Sequence, residues 1–189
     1  MTLVTSLFLT ALAADPSIGS PAPAFSLSDL DGETWSLEAL RGKTVVLEWF
    51  NPGCPFVVAA HEEGPLKDLA ARSVGDDVVW LAINSGAPGK QGADPADNVA
   101  AREKWGMTHP VLLDPDGTVG KAYGAVNTPQ LVVIDAKGTL QYWGALDNAP
   151  LNEARGERRP WTADAIAKVK AGEKAKPAKT KPWGCSVKY

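Results

Sequence analysis

Residues 44–57 read TVVLEWFNPGCPFV. The first seven, Thr44 to Phe50, are β-branched or apolar almost throughout, the composition of a central strand covered on both faces. Asn51-Pro52-Gly53 then turns the chain, and Pro55 suits the first position of a helix, where a missing N–H costs no hydrogen bond. Cys54 therefore sits at a strand-to-helix junction. There its sulfur meets unpaired helix N–H groups and the positive end of the helix dipole, both of which stabilise a thiolate. Cys54 is the candidate nucleophile.

Working outward, residues 19–37 carry a hairpin signal centred on Asp31-Gly32, and residues 37–40 suit one helical turn. A helix is predicted from Pro55 to Ser73, interrupted at Gly64-Pro65. Val78 to Asn84 reads as a second buried strand, followed by a Gly/Pro-rich loop to Gly92 and a helix from Pro95 to Trp105. A short strand is expected at 110–113, a turn at 114–117 and a short helix at 118–123. Strands at 131–135 and 139–143, joined by Ala136-Lys137-Gly138, form an antiparallel hairpin. A closing helix at 161–171 is capped near Thr162. Strands alternating with helices and ending in a hairpin predict an α/β layer fold with a mixed sheet.

The chain has 189 residues, a net charge of −3 and two cysteines, Cys54 and Cys185. Length suits one domain, and the charge gives no basic face for nucleic acid or an acidic membrane. Residues 1–14 hold an apolar run from Leu3 to Ala13 with a small-residue exit, read as a signal peptide cleaved near Ala13 or Ala14. No Lys or Arg precedes the run, so a non-cleaved anchor is the alternative, though the run is too short to span a bilayer. The expected location is periplasmic or secreted, with no integral span after cleavage. In such a compartment the two cysteines can pair.

The domain is placed at 19–172 and a Lys/Pro-rich tail at 173–189. The first part of the tail reads as an extended, mobile strap. Trp183, Cys185, Val187 and Tyr189 alternate with small or polar residues, so its end is expected to lie on the domain, with Trp183 as an anchor. His61, two turns and about 10 Å beyond Cys54 on its helix, reads as a solvated surface residue, and His109 as an equally ordinary one before Pro110. Two histidines and two cysteines without ligand spacing give no metal site, and no cofactor is called for.

Four segments, taken in order, resemble the thioredoxin-like superfamily and within it the redoxin branch, which holds AhpC/thiol-specific antioxidant and periplasmic thioredoxin-like proteins. They are Pro23-Ala24-Phe25 with Asp31-Gly32, residues 45–57, residues 123–129 ending in Thr128-Pro129, and residues 132–135 followed by Gly138. The resemblance implies a thioredoxin-like fold: a central mixed β-sheet flanked by helices, with an N-terminal β-hairpin. It implies a cis peptide at Pro129 that exposes the Thr128 backbone to an extended substrate. It also implies a buried acid at Glu48, whose desolvated carboxyl titrates upward and moves protons at the sulfur; a solvent-reaching strand residue is the alternative.

The departures from the family pattern matter as much. Thioredoxins carry a second cysteine three residues after the first, and here that position is Val57. A mixed disulfide or sulfenic acid at Cys54 is then resolved by Cys185, the one candidate within the chain, or by a partner's thiol. The peroxiredoxin Pro and Thr/Ser positions are Leu47 and Asn51, so a hydrogen bond to a peroxide falls to the Asn51 amide.

Three readings follow. The leading one is an exported thiol redox enzyme acting on a protein disulfide or a small peroxide, with Cys54 and Cys185 as its sulfurs, Glu48 beside them, and Asn51, Pro55, Thr128 and Pro129 shaping the substrate site. The second is a non-catalytic binding module stapled by a Cys54–Cys185 disulfide. The third is a single-cysteine adaptor without turnover.

Overall fold

In the computed structural model, which describes residues 16–189, the chain runs β1 (Ser26–Ser28), β2 (Thr34–Ser36), β3 (Thr44–Trp49), α1 (Pro55–Glu62), α2 (Leu66–Ser73), β4 (Val78–Asn84) and α3 (Pro95–Lys104). It continues through β5 (Val111–Leu113), α4 (Thr118–Ala122), β6 (Asn127–Thr128), β7 (Gln130–Ile134), β8 (Leu140–Gly144), α5 (Trp161–Lys170) and β9 (Cys185–Ser186). The leader expected at 1–14 lies outside the described residues.

The apolar run that opens the reading is the middle strand of a five-stranded sheet ordered β5-β4-β3-β7-β8. β3 pairs parallel with β4, and β4 with β5. β7 is antiparallel to β3 and β8 antiparallel to β7, so the sheet is mixed, as expected. Because side chains alternate across a strand, Val45, Leu47 and Trp49 pack on one face with Leu81, Ile83, Val132, Ile134 and Tyr123. Val46 faces the other way, with Trp80, Leu131, Val133 and residues of α2 and α5. Every residue of β3 is buried, which is why it reads as an unbroken apolar run rather than an alternating one.

The helix predicted over 55–73 is two helices. Pro65 has no N–H to continue the ladder, so α1 ends at Glu62 and α2 restarts at Leu66. Thr162 does not cap α5. Pro160 stands at the cap, and the Thr162 hydroxyl instead donates to the Ala145 carbonyl at 3.2 Å.

The first part of the tail is not a mobile strap. Trp143 N donates to Ala178 O at 3.0 Å, and Thr180 N to Trp143 O at 3.1 Å. Thr180 Oγ1 accepts from Ala145 N at 2.9 Å and meets the Tyr142 hydroxyl at 2.7 Å, while Ala175 is buried. Lysine content misleads here because the ammonium groups need only point outward. The intervening backbone and Thr180 carry the docking, and the Lys179 ammonium lies 4.7 Å over the Trp143 ring. The remainder lies on the domain as read. Trp183 Nε1 donates to Asp147 O at 2.6 Å, Val187 N to Val126 O at 3.1 Å, and Ala87 N to Lys188 O at 2.8 Å. The Tyr189 hydroxyl reaches Ala125 O at 2.8 Å across Gly120, where any side chain would overlap the phenol.

β9 pairs antiparallel with β6, Cys185 opposite Thr128 and Ser186 opposite Asn127. The approach is so close that a methyl group on Gly184, whose φ is +123°, would overlap the Thr128 carbonyl oxygen. Gly184→Ala is therefore expected to cost more than about 1 kcal/mol in urea unfolding. It should also speed proteolysis after residue 180 relative to the wild type; equal stability and equal protection would contradict this packing.

Candidate active site

Cys54 has extended backbone geometry at the N-cap of α1, with Pro55 as the first helical residue. Its sulfur is fully buried among Phe50, Val57, Ala82, Ala101 and Val111. The thiol donates to the Thr128 carbonyl at 3.2 Å, and the Thr128–Pro129 peptide is cis. The turn before the helix is built by Asn51. Its side-chain oxygen accepts from Gly53 N at 2.8 Å and its amide donates to Gln91 O at 3.0 Å. The sequence reading aimed that amide at a peroxide oxygen; the structure spends it on holding the 51–53 turn against the 91–92 loop.

Cys185 comes to the same place from 131 residues later in the chain. Its pairing with Thr128, whose carbonyl accepts from the Cys54 thiol, packs it against the cluster that holds Cys54. Both thiols are free, Cys54 wholly buried and Cys185 partly exposed. Burial, followed by the neighbouring Cys54, pushes the Cys185 thiol up to about 11. The resemblance implied a Thr128 backbone open to an extended substrate, but that edge is occupied by β9 and Thr128 is buried.

Glu48 is a buried acid and not a strand residue reaching solvent. His61 Nε2 lies 2.8 Å from Glu48 Oε1, and Trp80 Nε1 donates to Glu48 Oε2 at 3.0 Å. The expected upward titration of Glu48 is overturned. Burial pushes the carboxyl up, but the charge and hydrogen bond of His61, with help from His109 and Trp80, outweigh it and hold Glu48 below the ordinary carboxylate value.

His61 is likewise no surface residue. It is buried, stacked on Trp105 with ring centroids 4.8 Å apart, and edge-on to Phe50. The signal was in the sequence: Val57, Ala60 and His61 stand at i, i+3 and i+4 on α1 and are its buried face. His109 is buried too, with Nε2 unpartnered among the described residues. Desolvation pulls its imidazole down to about 4. Among the described residues no group of three or more His, Cys, Asp or Glu is placed to hold a metal ion.

A sequence-family model described as Redoxin matches residues 17–156. The thiol-disulfide oxidoreductase ResA of Geobacillus thermodenitrificans is 32% identical over 127 residues, covering 66% of this chain and 67% of ResA. Alkyl hydroperoxide reductase E of Mycobacterium tuberculosis is 30% identical over 163 residues, 82% of this chain and 99% of the reductase. Among solved structures, an uncharacterised conserved protein from Geobacillus kaustophilus superposes with a TM-score of 0.81 at 29% identity, covering 92% of each chain.

The burial of His109 has a measurable consequence. Its folded pKa, about 4, lies below the ordinary 6.5, so between those values the unfolded chain binds a proton that the folded one does not. Stability falls as pH drops through this window, by on the order of 3 kcal/mol. The low Glu48 pKa adds a loss only below its ordinary value of 4.5. His109→Gln should therefore flatten the stability profile between pH 6.5 and 4.5 in urea titrations, and an unchanged slope would contradict a neutral buried His109.

Proposed function

The chain belongs to the redoxin family, and on that premise we propose that it is an exported thiol oxidoreductase in which Cys54 attacks the oxidised substrate and Cys185 completes the reaction. The observation that carries this reading is the convergence of both cysteines on Thr128. Val57 occupies the place of a second helix cysteine, and β9 sets Cys185 opposite Thr128, whose carbonyl accepts from the Cys54 thiol.

In the first step the Cys54 thiolate attacks one sulfur of a substrate disulfide, forming a Cys54–substrate bond and releasing the other half as a thiolate. The Cys185 sulfur then attacks Cys54, a Cys54–Cys185 bond forms, and the reduced substrate half leaves with the proton given up by Cys185. The start of α1 favours the anion at Cys54, its N-cap residue. Glu48 is held ionised behind the site by His61 and Trp80, while Thr128, Pro129 and Pro55 shape the mouth of the site and Asn51 fixes its floor. For attack to begin, β9 lifts from β6.

The likeness to alkyl hydroperoxide reductase E supports a second substrate class on the same cysteines. There Cys54 takes the terminal oxygen of a hydroperoxide, the alcohol leaves, and Cys185 displaces water from the resulting sulfenic acid. The stapled binding module is less well supported, because Thr180, Trp183 and Tyr189 hold the strap on the domain without a covalent staple. Export rests on the leader pattern at 1–14. None of the described helices is long and apolar enough to cross a membrane.

Reduced protein mixed with hydroxyethyl disulfide should end as an intramolecular disulfide with two equivalents of mercaptoethanol released. Cys185→Ser should stop at a stable adduct on Cys54, and Cys54→Ser should lose at least about 100-fold in rate. Retention of the rate by Cys54→Ser would reject Cys54 as the nucleophile, and a parallel assay with hydrogen peroxide ranks the two substrate classes. Sequencing the mature N-terminus after expression with residues 1–14 checks export, with cleavage expected after Ala13 or Ala14.

A further inference from the structure

Glu48 is wholly buried, and its two carboxylate oxygens are met by His61 and Trp80. A carboxylate so enclosed exchanges protons with water through a neighbour that both takes and gives them. Of the two partners only the imidazole does so, since the indole N–H is a donor alone. His61 meets Glu48 through Nε2, which leaves Nδ1 as its second proton-carrying atom.

His61 also lines a narrow cleft between α2 and the segment 105–109. The lining passes from exposed Lys67, Ala71, Gly106 and Thr108 to buried His61 and His109. Its volume, about 20 Å³, is room for one water. His109 supplies the reason for a water to stay. Its Nε2 is buried without a partner among the described residues, and buried polar atoms are satisfied by protein or by ordered water. Desolvation keeps the ring neutral down to about 4, so it takes part in a hydrogen bond with water as an uncharged group. The charged groups around the cleft are Lys67 at its exposed end, Glu48 behind His61, and the Glu62–Lys104 pair that holds the Trp105 indole. His109 also borders a pocket under β1 and β2, beside Asp29, Asp31, Glu33 and Arg102.

We propose that the cleft between α2 and residues 105–109 is a water site and the proton port of the Glu48–His61 pair. Beside an ionised carboxylate, His61 carries its proton on Nε2. A proton arriving on the cleft water is taken up at Nδ1, and the Nε2 proton passes to Glu48 Oε1. The ring is again neutral, now protonated at Nδ1, and the reverse sequence returns the proton to solvent. No cysteine and no strap residue lines the cleft, so Glu48 exchanges protons whether or not β9 covers Cys54. The inference stands apart from the thiol cycle proposed above.

The chain has two histidines, so isotopic labelling of histidine nitrogen resolves each ring by NMR. Exchange of the His61 Nε2 proton with water is followed by saturation transfer on the reduced protein without substrate, which keeps its outcome separate from that of the thiol assay. Ala71→Phe and, from the facing wall, Thr108→Leu place bulk at exposed positions of the cleft. Each is expected to slow the exchange by about tenfold or more, because exchange then needs a local opening, while the backbone amide spectrum stays that of the wild type. A crystal structure of the wild type should show an ordered water in the cleft within hydrogen-bond distance of His109 Nε2, a readout that does not depend on either variant folding. Exchange at the wild-type rate in both variants would overturn the port, and a water reaching His109 only from the β1–β2 side would overturn the site.

Discussion

The hydrogen-bonded pairing of Cys185 with Thr128 ties a late segment of the chain to the one junction where a core strand hands over to α1. Most of the site's properties follow from that pairing. It brings the second sulfur to the first, covers Cys54, and fills the backbone edge beside Pro129. It also demands glycine at 184, since no other residue admits the Thr128 carbonyl so close. The strap contacts upstream, from Ala178 through Trp183, set the register of these last residues before they reach the edge. A conventional helix-turn pair of cysteines needs only local geometry. Here the same proximity is built from tertiary docking, and its strength is set by packing and hydrogen bonds spread over the strap.

Behind the site lies a second arrangement with its own logic. Burying a carboxylate is costly unless charge and hydrogen bonds compensate. Glu48 receives both, from His61 at 2.8 Å and Trp80 at 3.0 Å. The ring of His61 is fixed in turn by stacking on Trp105. This chain links β3, α1, β4 and the end of α3 through polar contacts inside an otherwise apolar interior. Removing His61 alone would leave the carboxylate unpaired, a larger perturbation than removing both partners together.

The sheet was readable because its strands are long apolar or β-branched runs between Gly and Pro turns, and Val78 to Asn84 and residues 131–134 need no tertiary information to be recognised. The position of Cys54 was readable for the same reason, as the junction between two strong local signals. What escaped was decided by distant contacts. β6 and β9 are two residues each, too short for any period, and exist only because they meet one another. Asn51 looked like a donor facing the site because its partner, the carbonyl of Gln91, lies on a loop forty residues away. Glu48 was placed correctly as a buried acid, but its titration turned on His61. That histidine's place on the apolar face of α1 is legible, yet histidine is so often exposed that the spacing alone does not mark it as buried.

The wide separation of the two cysteines also orders events during synthesis. The sheet β5-β4-β3-β7-β8 contains no strap residue, so the core and α1 can be complete while residue 185 is still to be made. During that interval Cys54 has no cover and no partner within its own chain, and a disulfide that oxidises it there joins it to another molecule. The strap is therefore also a maturation device. Its arrival converts an open, promiscuous thiol into a closed one, and a chain interrupted before Trp183 would keep the fold and the exposed sulfur together.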